Sequence, residues 1–99
     1  MTPLTGAQRT HLRGLAHHLK PVVQIGKQGF SENVKRSIDA ELLIHELIKI
    51  KFVEFKEEKR AFARDIEAAL AAQMVGLVGN IAIFYRPHPE PGKRHVRLR

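Results

Sequence analysis

A chain of 99 residues with 43% hydrophobic side chains is sized for one compact domain with a genuine core, which excludes global disorder. The absence of cysteine excludes disulfide frameworks, thiolate metal sites and cysteine nucleophiles. The formal charge of +7 is uneven: residues 1–38 carry six Lys/Arg against one acid, residues 39–85 six against eight, and residues 86–99 five against one. Positive charge concentrated at the two ends in this way is the footprint of a polyanion-binding protein, most often one that meets nucleic acid. No apolar run approaches the roughly 18 residues needed to cross a bilayer. The N-terminal Met1-Thr2-Pro3-Leu4-Thr5 lacks a basic stretch followed by a hydrophobic one, so a cytoplasmic protein without a signal peptide or membrane association is expected.

A first helix is predicted from Thr5, with Gln8 three residues on as a capping box. Leu12, Leu15, Ala16 and Leu19 then form one apolar stripe at helical spacing, with Arg9, Arg13, His17 and Lys20 off it. Pro21 ends the helix, since it has no backbone donor and disfavours helical geometry before it. Val22 to Ile25 reads as a short strand running into Gly26-Lys27-Gln28-Gly29. Ser31 is placed to cap a second helix, Glu32 suits its positive end, and Val34, Ile38 and Leu42 carry the helix to about His45.

Leu47 to Val53 alternates, with Ile48, Ile50 and Phe52 on one side and Lys49 and Lys51 on the other: a half-buried strand showing two lysines. A third helix is predicted from Glu57 to about Ala72, with Phe62, Ile66, Ala69, Leu70 and Gln73 on its inner side. Met74–Val78 and Ile81–Tyr85 flank Gly79-Asn80, the signature of a hairpin. The expected architecture is therefore a single α/β domain of order α-β-α-β-α-β-β, a four-stranded mixed sheet with three helices, over residues 1–86. Residues 87–99, with three prolines, a glycine and a basic bias, are expected to form a flexible tail.

Gly26-x-x-Gly29 by itself is a common turn. Its place after a strand and before a capped helix gives it more weight, because free backbone N–H groups and the positive helix end face whatever approaches. Lys27 adds charge and Gln28 a neutral donor and acceptor. The pattern fails as a nucleotide P-loop, since Gln28 follows the lysine, and as a dinucleotide fingerprint, since a third glycine is missing. His45-Glu46-Leu47-Ile48-Lys49 fails as a zinc-protease motif, because its second histidine is a lysine. The histidine pairs His17-His18 and His88/His95 read as surface residues, and no metal or cofactor is expected. Ser31 is explained as a cap, and no catalytic constellation is visible, so no enzyme is expected. Aromatic residues are few and sit mostly at core-facing positions, which favours recognition of backbone and shape over stacking on bases.

Four segments together resemble the stand-alone bacterial CRM-domain proteins of the YhbY type. They are Val23-Gln24-Ile25-Gly26-Lys27-Gln28-Gly29-Phe30, His45-Glu46-Leu47-Ile48-Lys49-Ile50-Lys51, Glu57-Glu58-Lys59-Arg60 and Ile83-Phe84-Tyr85-Arg86-Pro87. The resemblance spans roughly residues 3–87. It implies a fold akin to the C-terminal domain of bacterial initiation factor three. It also implies an RNA-binding protein that associates with precursor large ribosomal subunits and assists their assembly. It further implies that Gly26, Lys27, Gln28 and Gly29 form the RNA-contact loop, in the manner of a KH-domain loop. Lys49 and Lys51 match the family's lysine-bearing strand. Phe30 departs from the family, standing where an aliphatic residue is usual, and the helix end near Ala71-Ala72 lacks the family's glycine cap.

The expected partner is thus structured ribosomal RNA, bound by a monomer through the loop, with Lys20, Lys35, Lys49 and Lys51 adding attraction. No small-molecule substrate is expected. The alternative from another class is a basic module docking on a ribosomal protein or other acidic partner.

Overall fold

The structure is a computed structural model that describes residues 2–98. Helix α1 spans Gly6–Ala16, strand β1 Pro21–Ile25, helix α2 Glu32–His45, strand β2 Leu47–Phe52, helix α3 Lys59–Leu70, and strands β3 and β4 Gln73–Val78 and Ile81–Tyr85. The strands lie in the order β1-β2-β4-β3. β1 runs parallel to β2 across the α2 crossover, whereas β4 is antiparallel to both β2 and β3. The predicted single α/β domain with a four-stranded mixed sheet is what the chain forms.

Side-chain caps set the starts of α1 and α2. The Thr5 hydroxyl accepts from Gln8 N–H at 3.1 Å while the Gln8 side chain accepts from Thr5 N–H at 2.9 Å, the reciprocal capping box the sequence predicts. Ser31 accepts from Val34 N–H at 3.2 Å and so starts α2.

Side-chain alternation divides the core in two. Val23 and Ile25 of β1, Ile48, Ile50 and Phe52 of β2, and Ala82 and Phe84 of β4 pack beneath Ile38 and Leu42 of α2 and Ala63, Ile66 and Leu70 of α3. On the other face, Leu47, Val75, Ile83 and Tyr85 meet Leu4 and the α1 residues Leu12 and Ala16. Each fully buried leucine or isoleucine contributes about 1.5–3 kcal/mol. α1 is short, so Lys51, on its side of β2, stands exposed beyond its cover, whereas Lys49 is half-buried beside Arg13 and His17.

Several expectations are corrected. The first helix stops at Ala16 rather than running to Pro21, and its predicted stripe is only half used: Leu12 and Ala16 are buried, but Leu15 and Leu19, the latter beyond the helix, remain 45% and 38% exposed. Residues 56–58 form a 3-10 turn, and α3 proper begins at Lys59. It ends at Leu70, because Ala71 adopts the left-handed conformation at φ +54°. Gln73 therefore opens β3 rather than closing α3, with its amide bound to Leu4 N–H and Thr2 O at 2.7 and 2.9 Å. Ala69 is exposed.

The segment after Arg86, expected to hang free, folds back through a 3-10 turn at Pro91–Lys93, and its Val96 packs with Leu4, Leu47 and Tyr85 on the α1 face of the sheet. Its anchor is Glu46, the one buried charged side chain among the described residues. The Glu46 carboxylate accepts from the backbone N–H groups of His88, His95 and Val96 at 2.8, 2.7 and 3.0 Å. The His95 imidazole lies 3.2 Å from the same carboxylate. Burial pushes the Glu46 carboxyl up, but these backbone donors and the imidazole outweigh it and hold the group below its usual range. Burial and the nearby Glu46 charge together push the Tyr85 phenol up, against a smaller opposing pull from Arg94.

Candidate nucleic-acid interface

β1 delivers Gly26 at its C-terminal end, and Ser31, five residues later, caps the start of α2. Gly29 N–H donates to Gly26 O at 3.0 Å, closing a four-residue turn with Lys27 and Gln28 exposed at its tip. The backbone beneath the turn is fixed by Val53 and Glu54 N–H groups, which donate to Ile25 O at 2.9 and 3.1 Å.

The two glycines differ in what requires them. Gly29 is buried at φ +64°, and a Cβ there would lie 3.4 Å from the Phe62 ring and 3.6 Å from Phe55. The left-handed backbone, rather than crowding by the rings, is what favours glycine at position 29. At Gly26 an added Cβ would meet nothing within 4 Å. No intramolecular contact accounts for a missing side chain there, which leaves clear space for an external backbone to come close.

Strand register places the lysines. Lys51 is opposite Gln24, near the loop end of β1, and Lys49 is opposite Pro21 at the far end. The two lysines lie roughly 7 Å apart along one face of β2. Lys49 Nζ also donates to Leu19 O at 3.1 Å, which fixes its direction toward the end of α1. Lys35 sits one turn into α2, its N–H bonded to Ser31 O at 2.9 Å. The turn, Lys35 and Lys51 thus share one end of the sheet, and Lys49 extends the line along β2. Lys20 precedes β1 and stands about 20 Å of strand away from Gly26.

The interface is not uniformly basic. Lys27 and Lys56 share a shallow depression with Glu54, Glu57 and Glu58. Several cations counted in the charge map are also held inside the fold. Arg86 binds the Asp39 carboxylate at 2.7 Å and the carbonyls of Leu70 and Asp39, each at 3.1 Å. Lys59 binds Gly79 O at 2.6 Å, tying α3 to the hairpin turn. Arg13 lies over Gly76, where an added Cβ would meet its Cδ at 2.9 Å, and binds Val75 O at 3.2 Å.

Phe30 packs against the core beneath α2 and α3 rather than standing at the turn's surface. The His17 and His18 rings meet edge to face at 5.2 Å. No group of three or more metal-ligating side chains occurs among the described residues. Glu46 escaped sequence reasoning. The available signal was an acid placed where α2 ends and the apolar β2 begins, a position at which a solvated carboxylate has no room.

Residues 4–86 match the family model described as the CRS1 / YhbY (CRM) domain. The chain is 41% identical over 91 residues to a Haemophilus influenzae protein named "RNA-binding protein", covering 91% of this chain and 92% of that one. It is 35% identical over 88 residues to the "Probable RNA-binding protein YqeI" of Bacillus subtilis, covering 88% and 92%. The solution structure of the hypothetical protein SAV1595 from Staphylococcus aureus superposes with a TM-score of 0.79 at 33% identity, covering 96% of this chain and all of that one. With the loop, the lysine-bearing strand and the sheet order in place, the chain belongs to the CRS1/YhbY (CRM) domain family.

Proposed function

We propose that this protein binds structured RNA and, as a cytoplasmic monomer, attaches to the ribosomal RNA of precursor large ribosomal subunits during their assembly. The observation that carries the RNA reading is the turn itself: open space in front of Gly26, with Lys27 and Gln28 at the tip and the capped start of α2 behind it. Backbone amides at a helix start favour anionic oxygen, and a lysine beside them adds charge. Lys51 and Lys35 continue the attraction from the same end of the sheet, while Lys49, opposite Pro21, and Lys20 contribute only at longer range. The relatives' names as RNA-binding proteins support the same reading. Residues 1–86 constitute the RNA-binding domain, and residues 87–99 are an accessory basic segment.

A contact of this kind grips phosphates without reading bases. With about four phosphates neutralised, log K against log salt falls with a slope of roughly −3. Filter binding to a structured fragment of large-subunit ribosomal RNA at several salt concentrations tests this; salt-independent binding refutes it. Lys27→Ala with Gln28→Ala weakens binding and leaves the unfolding transition in place, because both side chains are exposed. Unchanged affinity removes the turn from the site. Crosslinking in cells, followed by mapping of the attached RNA, tests the assignment to precursor large subunits separately.

A further inference from the structure

Half of the apolar stripe predicted for the first helix is not absorbed by the fold. Leu15 and Leu19 are 45% and 38% exposed, and Val22 of the edge strand β1 and Leu98 are 44% and 40% exposed. These four side chains converge on one groove of about 940 Å³, floored by Leu47 and walled by the C-terminal segment at Val96. Contiguous exposed apolar surface on a small domain marks an interaction site more often than chance.

The wall is fixed rather than draped. Glu46 holds the backbone of His95 and Val96, and the His11 ring meets Arg97 O at 2.8 Å across the groove. The polar side chains lining the groove are Lys20, Arg97, His11, His45 and His95, and none is acidic. The nearby acids are engaged: Glu41 lies 3.2 Å from the His45 ring, and Glu46 is buried behind His95.

We propose that this groove is a docking site for an acidic amphipathic helix of a partner protein, whose leucine-type side chains enter between Leu15, Leu19 and Val22 while its carboxylates meet Lys20 and Arg97. An apolar floor flanked by Lys20 and Arg97, with no acid among its lining side chains, is complementary to that chemistry and poorly suited to RNA, whose phosphates gain nothing from leucine. The groove opens at the start of β1 and the RNA turn at its end, about 20 Å away, so both can be occupied at once. This inference does not depend on the RNA reading.

Fluorescence anisotropy tests it with a labelled helical peptide of about 18 residues, long enough to hold a helix. The peptide carries leucine at alternating third and fourth positions and glutamate elsewhere. It binds the full-length protein, shifting the amide resonances of Leu15, Leu19, Val22 and Val96, and a saturating ribosomal RNA fragment does not displace it. Leu15→Gln with Leu19→Gln, a neutral change at exposed positions, weakens it at least tenfold. Substituting alanine for the peptide's leucines does the same from the other side, independently of the variant's folding. Equal binding by a peptide with lysine in place of glutamate overturns the proposal. So does unchanged affinity for the double variant or the alanine peptide, or shifts confined to the Gly26–Gly29 turn. A concentration-dependent dimer that shifts these resonances without peptide, and excludes it, assigns the groove to a second copy and overturns it equally.

Discussion

Glu46→Gln is the most informative single change, because it removes a charge and keeps the shape. In the native fold Oε1 receives the His95 and Val96 amides and Oε2 receives the His88 amide. Glutamine has only one carbonyl oxygen, so at least one of these N–H groups faces an NH2 donor. Hydrogen bonds to a charged acceptor contribute about 1.5–3 kcal/mol and neutral ones about 0.5–1.5. One lost bond and two weakened ones amount to roughly 3–5 kcal/mol, of which relief from burying a charge returns part. The net loss is about 2–3 kcal/mol. It falls first on docking of the C-terminal segment, because the domain core does not use Glu46 except through its backbone bonds to Leu42 and Arg86.

Amide hydrogen exchange of His88, His95 and Val96 reads this directly: all three lose protection in the variant, while amides of β2 and β4 keep theirs. Acid acts in the same direction. The folded state holds the Glu46 carboxyl below its ordinary value of 4.5, so its stabilisation is fully present above that pH. It is lost as pH falls through the lowered folded value. Trypsin cleavage after Lys93 and Arg94 accelerates in the variant for the same reason. Equal protection of the three amides in wild type and variant refutes the anchoring role, whatever the global stability does.

The glycines of the turn are expected to separate fold from binding. Gly29→Ala costs about 1–2 kcal/mol in urea unfolding, from its left-handed backbone, whereas Gly26→Ala stays within about 0.5 kcal/mol yet weakens RNA binding. Equal stability losses for the two refute the assignment. Ala71→Gly relieves a left-handed alanine at the end of α3 and raises stability by about 0.5–1 kcal/mol, net of the flexibility glycine adds to the unfolded chain; an unchanged or lower thermal midpoint contradicts it. Arg86→Ala removes the bridge from β4 to Asp39 and Leu70 and costs roughly 1–2 kcal/mol, less than a buried pair would because Asp39 is more than half exposed. Chemical denaturation measures it, and a loss near zero shows that water replaces the bridge.

The sequence by itself determined the helix starts, the strand alternation and the hairpin, because each is encoded within a few residues. Thr5 with Gln8, Ser31 with Val34, and Gly79-Asn80 act through neighbouring backbone, and the 2.0 and 3.6 periods place Ile48, Ile50, Ile38 and Leu42 inside without knowledge of the partner element. It also marked the Gly26–Gly29 turn, whose strand and cap are local. Only the tertiary structure decided which apolar residues the core consumes. Leu15 and Leu19 carry the same local pattern as Leu12 and Ala16, but α1 covers too little of the sheet to bury them. It likewise decided which cations remain available, since Arg86, Lys59 and Arg13 spend their donors on carbonyls and a carboxylate far away in the chain. Glu46 is the extreme case. Its three donors lie 42 to 50 residues downstream, a separation over which no sequence period carries information, and only closure of the fold brings them to one carboxylate.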